Sequence, residues 1–135
     1  MIVIVCVDDN LGMMFNNRRQ SRDIEVIKKI VELTNGSWLW MNKYSYELFA
    51  ELGCTNINVD SGFLSETANG EYCFVENMPL LPVVDKIEEL IIYHWNRKYP
   101  ADFKLDLPYK RWKKQSKEEF QGSSHEKITK ERYQL

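Results

Sequence analysis

The chain opens on an unbroken apolar run, "MIVIVCV", which stops at "DDNLG". A short β-branched run without alternation, closed by turn-forming residues, is the pattern of a strand covered on both faces. It predicts a strand over Ile2 to Val7 in the middle of a sheet. Met13, Met14 and Phe15 then lead into an entirely polar stretch, Asn16 to Arg22, which reads as a surface loop, informative if it folds like a lid over a pocket. Beyond it the period changes to that of a helix. Ile24, Ile27 and Val31 mark one stripe, and Val26, Ile30 and Leu33 widen it. With Ser21 as N-cap, Asp23 and Glu25 in the first turn and Asn35-Gly36 as a stop, the pattern predicts a helix over Arg22 to Thr34 packed heavily on the sheet.

"SWLWM" reads as a second strand, and "NKYSYELFAELG" as a short helix capped by Ser45, with Tyr46, Leu48, Phe49 and Leu52 inward and Gly53 as its stop. "TNINVD" and "GEYCFVE" are further strands, and "SGFLSETANG" between them is a loop with at most one helical turn. "MPLLPVVDKI" opens a short helix with proline in its first turn, and "EELIIYHWN" is a strong strand. After Arg97 the chain mixes prolines, charges and single aromatics, which suits long connections beside an edge hairpin. "HEKITKERYQL" fits either a helix capped by Ser124 or an edge strand. No internal repeat is visible. Strands interleaved with helices predict one α/β domain over residues 1–135, its sheet mainly parallel at first and antiparallel at the C-terminal edge.

Composition narrows the functional classes. The 135 residues are 44% hydrophobic and 28% charged, enough apolar surface for one real core. Lys plus Arg (18) nearly balances Asp plus Glu (20), and a net charge of -2 leaves no electrostatic footprint for nucleic acid or an anionic membrane. The longest apolar run is far short of the roughly 20 residues of a membrane span and lacks the flanks of a signal peptide, which points to a cytoplasmic protein. Three cysteines (Cys6, Cys54, Cys73), without C-x-x-C spacing and in or beside apolar segments, read as reduced, buried thiols. Trp38, Trp40, Trp95 and Trp112, with Tyr93 and Tyr99, read first as core and second as stacking platforms.

In their order, these segments resemble the dihydrofolate reductases. "IVIVCVDDNLGMM" is similar to that family's first strand and turn, and "QSRDIEVIKK" to its helix opening, with Asp23 where the active-site carboxylate falls. "LTNGSWLWMNKYSYELF" resembles the following strand and helix; "YCFVEN", "LLPVV", "ELIIYHW", "PAD" with Asp102, and Trp112 resemble the later series. The likeness covers nearly the whole chain, with a shorter stretch from Thr55 to Tyr72. It implies a dihydrofolate reductase-like mixed sheet flanked by helices, and NADPH as hydride donor to a pterin- or folate-like or other small planar substrate. It also implies Asp23 as the catalytic carboxylate. Asn42, Lys43, Ser45, Glu76 and Asn77 would face the cofactor; Cys6, Val7, Ile27, Arg18, Arg19 and Tyr93 would face the substrate. The chain departs from the family pattern in places. "VENMP" stands where a Gly-Gly turn admits the pyrophosphate, and Asn42 replaces the glycine of the Gly-Arg-x-Thr segment, although Lys43 and Ser45 still suit phosphate. Cys54 and Thr55 stand where an arginine grips the folate tail. Arg18, Arg19 and Gln20 turn an apolar lid into a basic one, and Tyr93 stands for a threonine.

For most of these residues a plain structural role competes with the chemical one. Asp23 is either a carboxylate at a pocket mouth, matched to a planar two-donor ligand, or a helix-terminal aspartate serving free amides. Arg18 and Arg19, with Asn16, Asn17 and Gln20, suit a phosphate or carboxylate, or form a solvated loop. Asp8 and Asp9 are a weak Mg²⁺ signal that turn chemistry explains, and no metal site is assigned. His94 and His125 are too few for a histidine-rich zinc site; His94 reads as a strand residue with a hydrogen bond. In "GSSHEKITK" the adjacent Ser and His point in different directions and make a poor catalytic dyad. Two functional classes remain. One is a divergent NADPH-dependent reductase working in the cleft between the first strand, the Gly12 to Ser21 loop and the first helix. The other is a non-catalytic binding or regulatory protein that keeps the fold, has lost cofactor and folate binding, and meets a protein partner or a small planar or phosphorylated ligand. The first predicts an accessible Asp23; the second predicts a filled cofactor groove and an exposed patch elsewhere.

Overall fold

The computed structural model describes every residue from Met1 to Leu135. In chain order the elements are β1 (Ile2–Val7), β2 (Gly12–Phe15), β3 (Arg18–Arg19), α1 (Ile24–Leu33), β4 (Leu39–Met41), α2 (Lys43–Tyr46), β5 (Ile57–Val59), α3 (Phe63–Glu66), β6 (Tyr72–Phe74), β7 (Glu89–His94), β8 (Phe103–Lys104), β9 (Lys113–Phe120) and β10 (Ile128–Gln134). Two 3₁₀ turns, Leu81–Lys86 and Tyr109–Arg111, lie in the later connections.

Seven strands form the main sheet in the order β5-β4-β6-β1-β7-β10-β9. β5, β4, β6, β1 and β7 run parallel, and β10 and β9 close one edge antiparallel, which is the mixed sheet anticipated from sequence. β1 is the central strand. Its side chains alternate between two hydrophobic layers, as the pleat requires. Val3, Val5 and Val7 point into a layer with Met13, Met14 and Leu107, while Ile2 and Ile4 point into a layer with α1 through Val26, Ile27 and Ile30. Burial on both faces is why "MIVIVCV" carries no polar alternation. No helix is long and apolar enough to cross a membrane.

Several local expectations are corrected. The stretch after Phe15 is not an irregular lid: Asn16 and Asn17 both adopt positive φ (52° and 59°), making the tight two-residue turn of a hairpin in which Phe15 pairs with Arg18. β2 also pairs with β8, so β3, β2 and β8 form a small second sheet. Helix α1 begins at Ile24, and its cap is Asp23 rather than Ser21, because the Asp23 carboxylate accepts from the Glu25 amide. Ile24 is consequently exposed. The cap of α2 is Asn42, whose side chain accepts from the Ser45 amide, and Ser45 is a buried helix residue. The "HEKITKERYQL" segment is a strand, as one reading had it, but β10 lies inside the sheet and β9 is the edge. Trp38 is about half exposed, outside the core, and Cys54 is only partly buried.

Candidate functional site

The ends of β1 and β6, the β2–β3 hairpin and the start of α1 converge at the C-terminal side of the parallel strands, where open α/β sheets place their ligand crevices. Here they leave very little space. The cavity between Cys6, Met13, Ile27, Phe74 and Trp95 is about 20 Å³, room for a single water-sized body. Arg19, Gln20, Ser21 and Glu76 form its polar wall. Beside it lies an open groove of about 480 Å³ lined by Phe15, Arg18, Gln20, Tyr99 and Pro100, with Arg19 and Gln20 common to both.

Asp23 borders the small cavity, yet its side chain has 0% exposure and both oxygens are in use. Oδ1 accepts from the amides of Glu25 and Ser123 and from Ser123 Oγ, at 3.0, 2.9 and 3.0 Å. Oδ2 accepts from the Ser124 amide at 2.8 Å and from His125 Nδ1 at 2.9 Å. The donors come from the turn between β9 and β10, where Gly122 is required because a Cβ there would collide with Asp23 Oδ2. Burial by itself would raise the pKa of this carboxyl; the His125 ring and the Ser123, Ser124 and Glu25 amides outweigh it and hold Asp23 far below the usual carboxylate range.

The other nitrogen of His125 faces two hydroxyls, Ser21 Oγ and Tyr99 Oη, each at 3.0 Å. Trp95 stacks on the ring with centroids 4.6 Å apart and planes 21° apart. Sequence reasoning missed this cluster: it rejected a His125 dyad with its neighbouring serines, and Ser21 lies 104 positions away. No local spacing signals the pairing. Only the joint expectation of a β9–β10 hairpin and of a carboxylate at the head of α1 could have brought the two regions together.

Glu76 follows β6 and is held by a bidentate contact with Arg19 (2.9 and 3.1 Å) and by Ser45 Oγ (2.9 Å). The Arg19 guanidinium also lies 4.2 Å over the Tyr44 ring. Asn42 Nδ2 donates to Asn77 Oδ1 at 2.8 Å, so four of the five residues expected to face a cofactor meet in one network. The fifth, Lys43, is exposed beside it. Of those expected to face a substrate, Cys6, Ile27 and Arg19 line the cavity and Arg18 lines the groove. Burial and the Glu76 carboxylate push the Cys6 thiol up, so it stays protonated. Val7 points into the opposite layer, and Tyr93 is sealed among the residues under α1 with its hydroxyl unpartnered. Neither reaches the cavity. Asp8 accepts from the amides of Asn10, Gly12 and Tyr99 and from Gln20 Nε2, which is turn chemistry using both oxygens.

No protein-family model matches the chain, and no curated protein is similar to it in sequence. Its structure is similar to that of the dihydrofolate reductase from Enterococcus faecalis complexed with NADP(H), with a TM-score of 0.68 at 10% sequence identity, covering 98% of this chain and 94% of that one. The chain has a dihydrofolate reductase-like fold.

Proposed function

We propose that this dihydrofolate reductase-like chain is a ligand-binding protein that has given up folate and pyridine nucleotide binding, and that it takes a small planar anion in the open groove beside the closed cleft. The observation that carries this reading is the state of Asp23: a carboxylate with every strong acceptor direction already satisfied has nothing to offer the N–C–N edge of a pterin. The polar side chains after β4 and β6 also fail to fit a dinucleotide. The Glu76 side chain, pinned by Arg19 and Ser45, stands at the turn where the likeness puts a glycine pair around the pyrophosphate, and it fills the space that glycine would leave for phosphate.

The groove has the opposite character. Phe15 is 41% exposed at its rim, Arg18 makes no ion pair, and Gln20 Oε1 is a buried carbonyl without a donor. A flat ring for Phe15 and an anionic group for the Arg18 fork describe one ligand class. The test uses 4-aminobenzoate, which carries both. At about 100 times its dissociation constant it raises the unfolding free energy by about 2.7 kcal/mol, and Phe15→Ala or Arg18→Gln abolishes the shift. Millimolar NADPH leaves the unfolding temperature unchanged, and no dihydrofolate-dependent NADPH oxidation is seen. A stabilisation by NADPH that depends on Lys43 and Ser45, or any turnover, reverses the reading.

A further inference from the structure

We infer that Ser21, His125 and Asp23 form a working hydrolytic triad, with the Ser21 hydroxyl as nucleophile toward small carboxylic esters, acetyl esters above all. This goes beyond the ligand-binding reading; it shares Asp23 and the groove with it, but its nucleophile and base, Ser21 and His125, take no part in that reading, so failure of the groove titration leaves it standing.

Proton positions follow from the partners. The Asp23 carboxylate can only accept, so His125 carries its proton on Nδ1 and presents the bare Nε2 to the hydroxyls. Ser21 Oγ and Tyr99 Oη each lie 3.0 Å from Nε2 and 3.4 Å from one another; with Tyr99 Oη donating to Ser21 Oγ, the Ser21 hydroxyl proton is the one that turns toward Nε2. Those are the nucleophile–base and base–orienter distances that acyl transfer requires, and a triad is recognised by such geometry rather than by chain order. Trp95 fixes the plane of the imidazole, and the Asp23 bonds to Ser123 and Ser124 fix the carboxylate. Asp23 and Tyr99 are positioning residues; Ser21 and His125 are the catalytic ones.

The surroundings select the substrate. Ser21 sits on the wall of the 20 Å³ cavity, whose apolar side is formed by Met13, Ile27 and Phe74, so it admits a methyl group and little more. Only the methyl of an acetyl group enters there, with its carbonyl carbon at Ser21 Oγ and its alcohol toward the groove of Phe15, Arg18 and Tyr99. The backbone N–H of Arg22, the residue after the nucleophile, donates to no acceptor in the protein and is free to serve the oxyanion. The step is balanced. Ser21 Oγ bonds to the carbonyl carbon as its proton passes to His125 Nε2; the ester C–O bond breaks, and the alcohol leaves with that proton. Water then gives a proton to Nε2, attacks the acetyl-serine carbon and releases acetic acid, restoring the hydroxyl.

The experiment is labelling of the intact protein with a fluorophosphonate probe, in which Oγ–P forms and fluoride leaves, followed by peptide mass spectrometry. The expected result is one adduct, on Ser21, with phenyl acetate hydrolysis abolished by the same label. Ser21→Ala removes both. Asp23→Asn, tested in protein whose near-ultraviolet circular dichroism is native, lowers the labelling rate at saturating probe by at least about 10³-fold while the half-saturating concentration stays put, a split that loosened packing does not produce. If Asp23→Asn fails to fold, Tyr99→Phe supplies the same readout with a smaller loss. No adduct on Ser21 in the folded wild type, or ester hydrolysis unaltered in Ser21→Ala, overturns the proposal.

Discussion

Replacing Asp23 by alanine separates a carboxylate that holds the fold from one reserved for a ligand. Five donors converge on it: the amides of Glu25, Ser123 and Ser124, Ser123 Oγ and His125 Nδ1. Losing the cap of α1 costs about 1 kcal/mol. His125 is 3% exposed, and its Nδ1 proton left without a partner costs about 1–3 kcal/mol more. The Ser123 and Ser124 amides lie in a turn whose serines are exposed, so water can replace their acceptor and they add little. The sum, about 2–4 kcal/mol, corresponds to a fall on the order of 10 °C in Tm for a chain of this length. Thermal unfolding by far-ultraviolet circular dichroism at neutral pH, with a urea midpoint as a second reading, measures it. A carboxylate kept ready for a ligand behaves in the opposite way, since functional charges are held at a cost to stability and their removal stabilises. An unchanged or raised Tm in Asp23→Ala therefore refutes the internal role of Asp23 and restores the open-cleft reductase.

Two further outcomes follow from the same contacts. Asp23 has a folded pKa below its unfolded one, so its stabilisation is fully present above the ordinary carboxylate value of about 4 and is lost as pH falls toward the depressed value; unfolding free energies between about pH 6 and pH 2 slope less steeply in Asp23→Asn than in wild type, with the remaining slope from Asp8, Glu88, Glu119 and Glu131. Gly122→Ala drives a methyl group into Asp23 Oδ2 and to 2.9 Å from the His125 carbonyl, for a loss of about 1–3 kcal/mol in urea unfolding that shrinks in the Asp23→Ala background, where one of the two obstacles is gone.

The sheet was legible because its constraints are local. β1 is an uninterrupted apolar run closed by turn residues and β7 carries one from Leu90 to Tyr93, and each lies between two strands with both faces covered. The order of strands and helices then leaves few topologies. The hairpin was not legible for a definite reason: Asn-Asn is a weaker signal than Asn-Gly for a turn that needs two positive φ values, and β3 is only two residues long. Caps were placed wrongly at α1 and α2 because Ser21, Asp23, Asn42 and Ser45 all have capping side chains, and spacing alone does not choose among them. Contacts between distant segments were the least accessible. Arg19 with Glu76, Asp23 with Ser123, and Ser21 with His125 join parts of the chain separated by 57, 100 and 104 positions.

These long-range contacts share one physical logic. A crevice at the C-terminal ends of parallel strands, beside a helix N-terminus, concentrates polar groups that must be satisfied when buried. Here the chain satisfies them from within. The β9–β10 turn brings amides and an imidazole to Asp23, and the β2–β3 hairpin brings a guanidinium to Glu76. Each contact replaces a contact that a bound molecule could make, so the same folding events that stabilise the termini of β1 and β6 also close the cleft. External chemistry can still enter where the chain runs from the hairpin toward α1: Arg18 lines the open groove, Gln20 lines both spaces, and Ser21, paired only with His125 and Tyr99, lines the closed cavity. A ligand or substrate that approaches this protein meets that stretch first, and variants at Arg18, Gln20 and Ser21 should change its binding or reactivity while those at Glu76 and Asp23 act first on the stability of the fold.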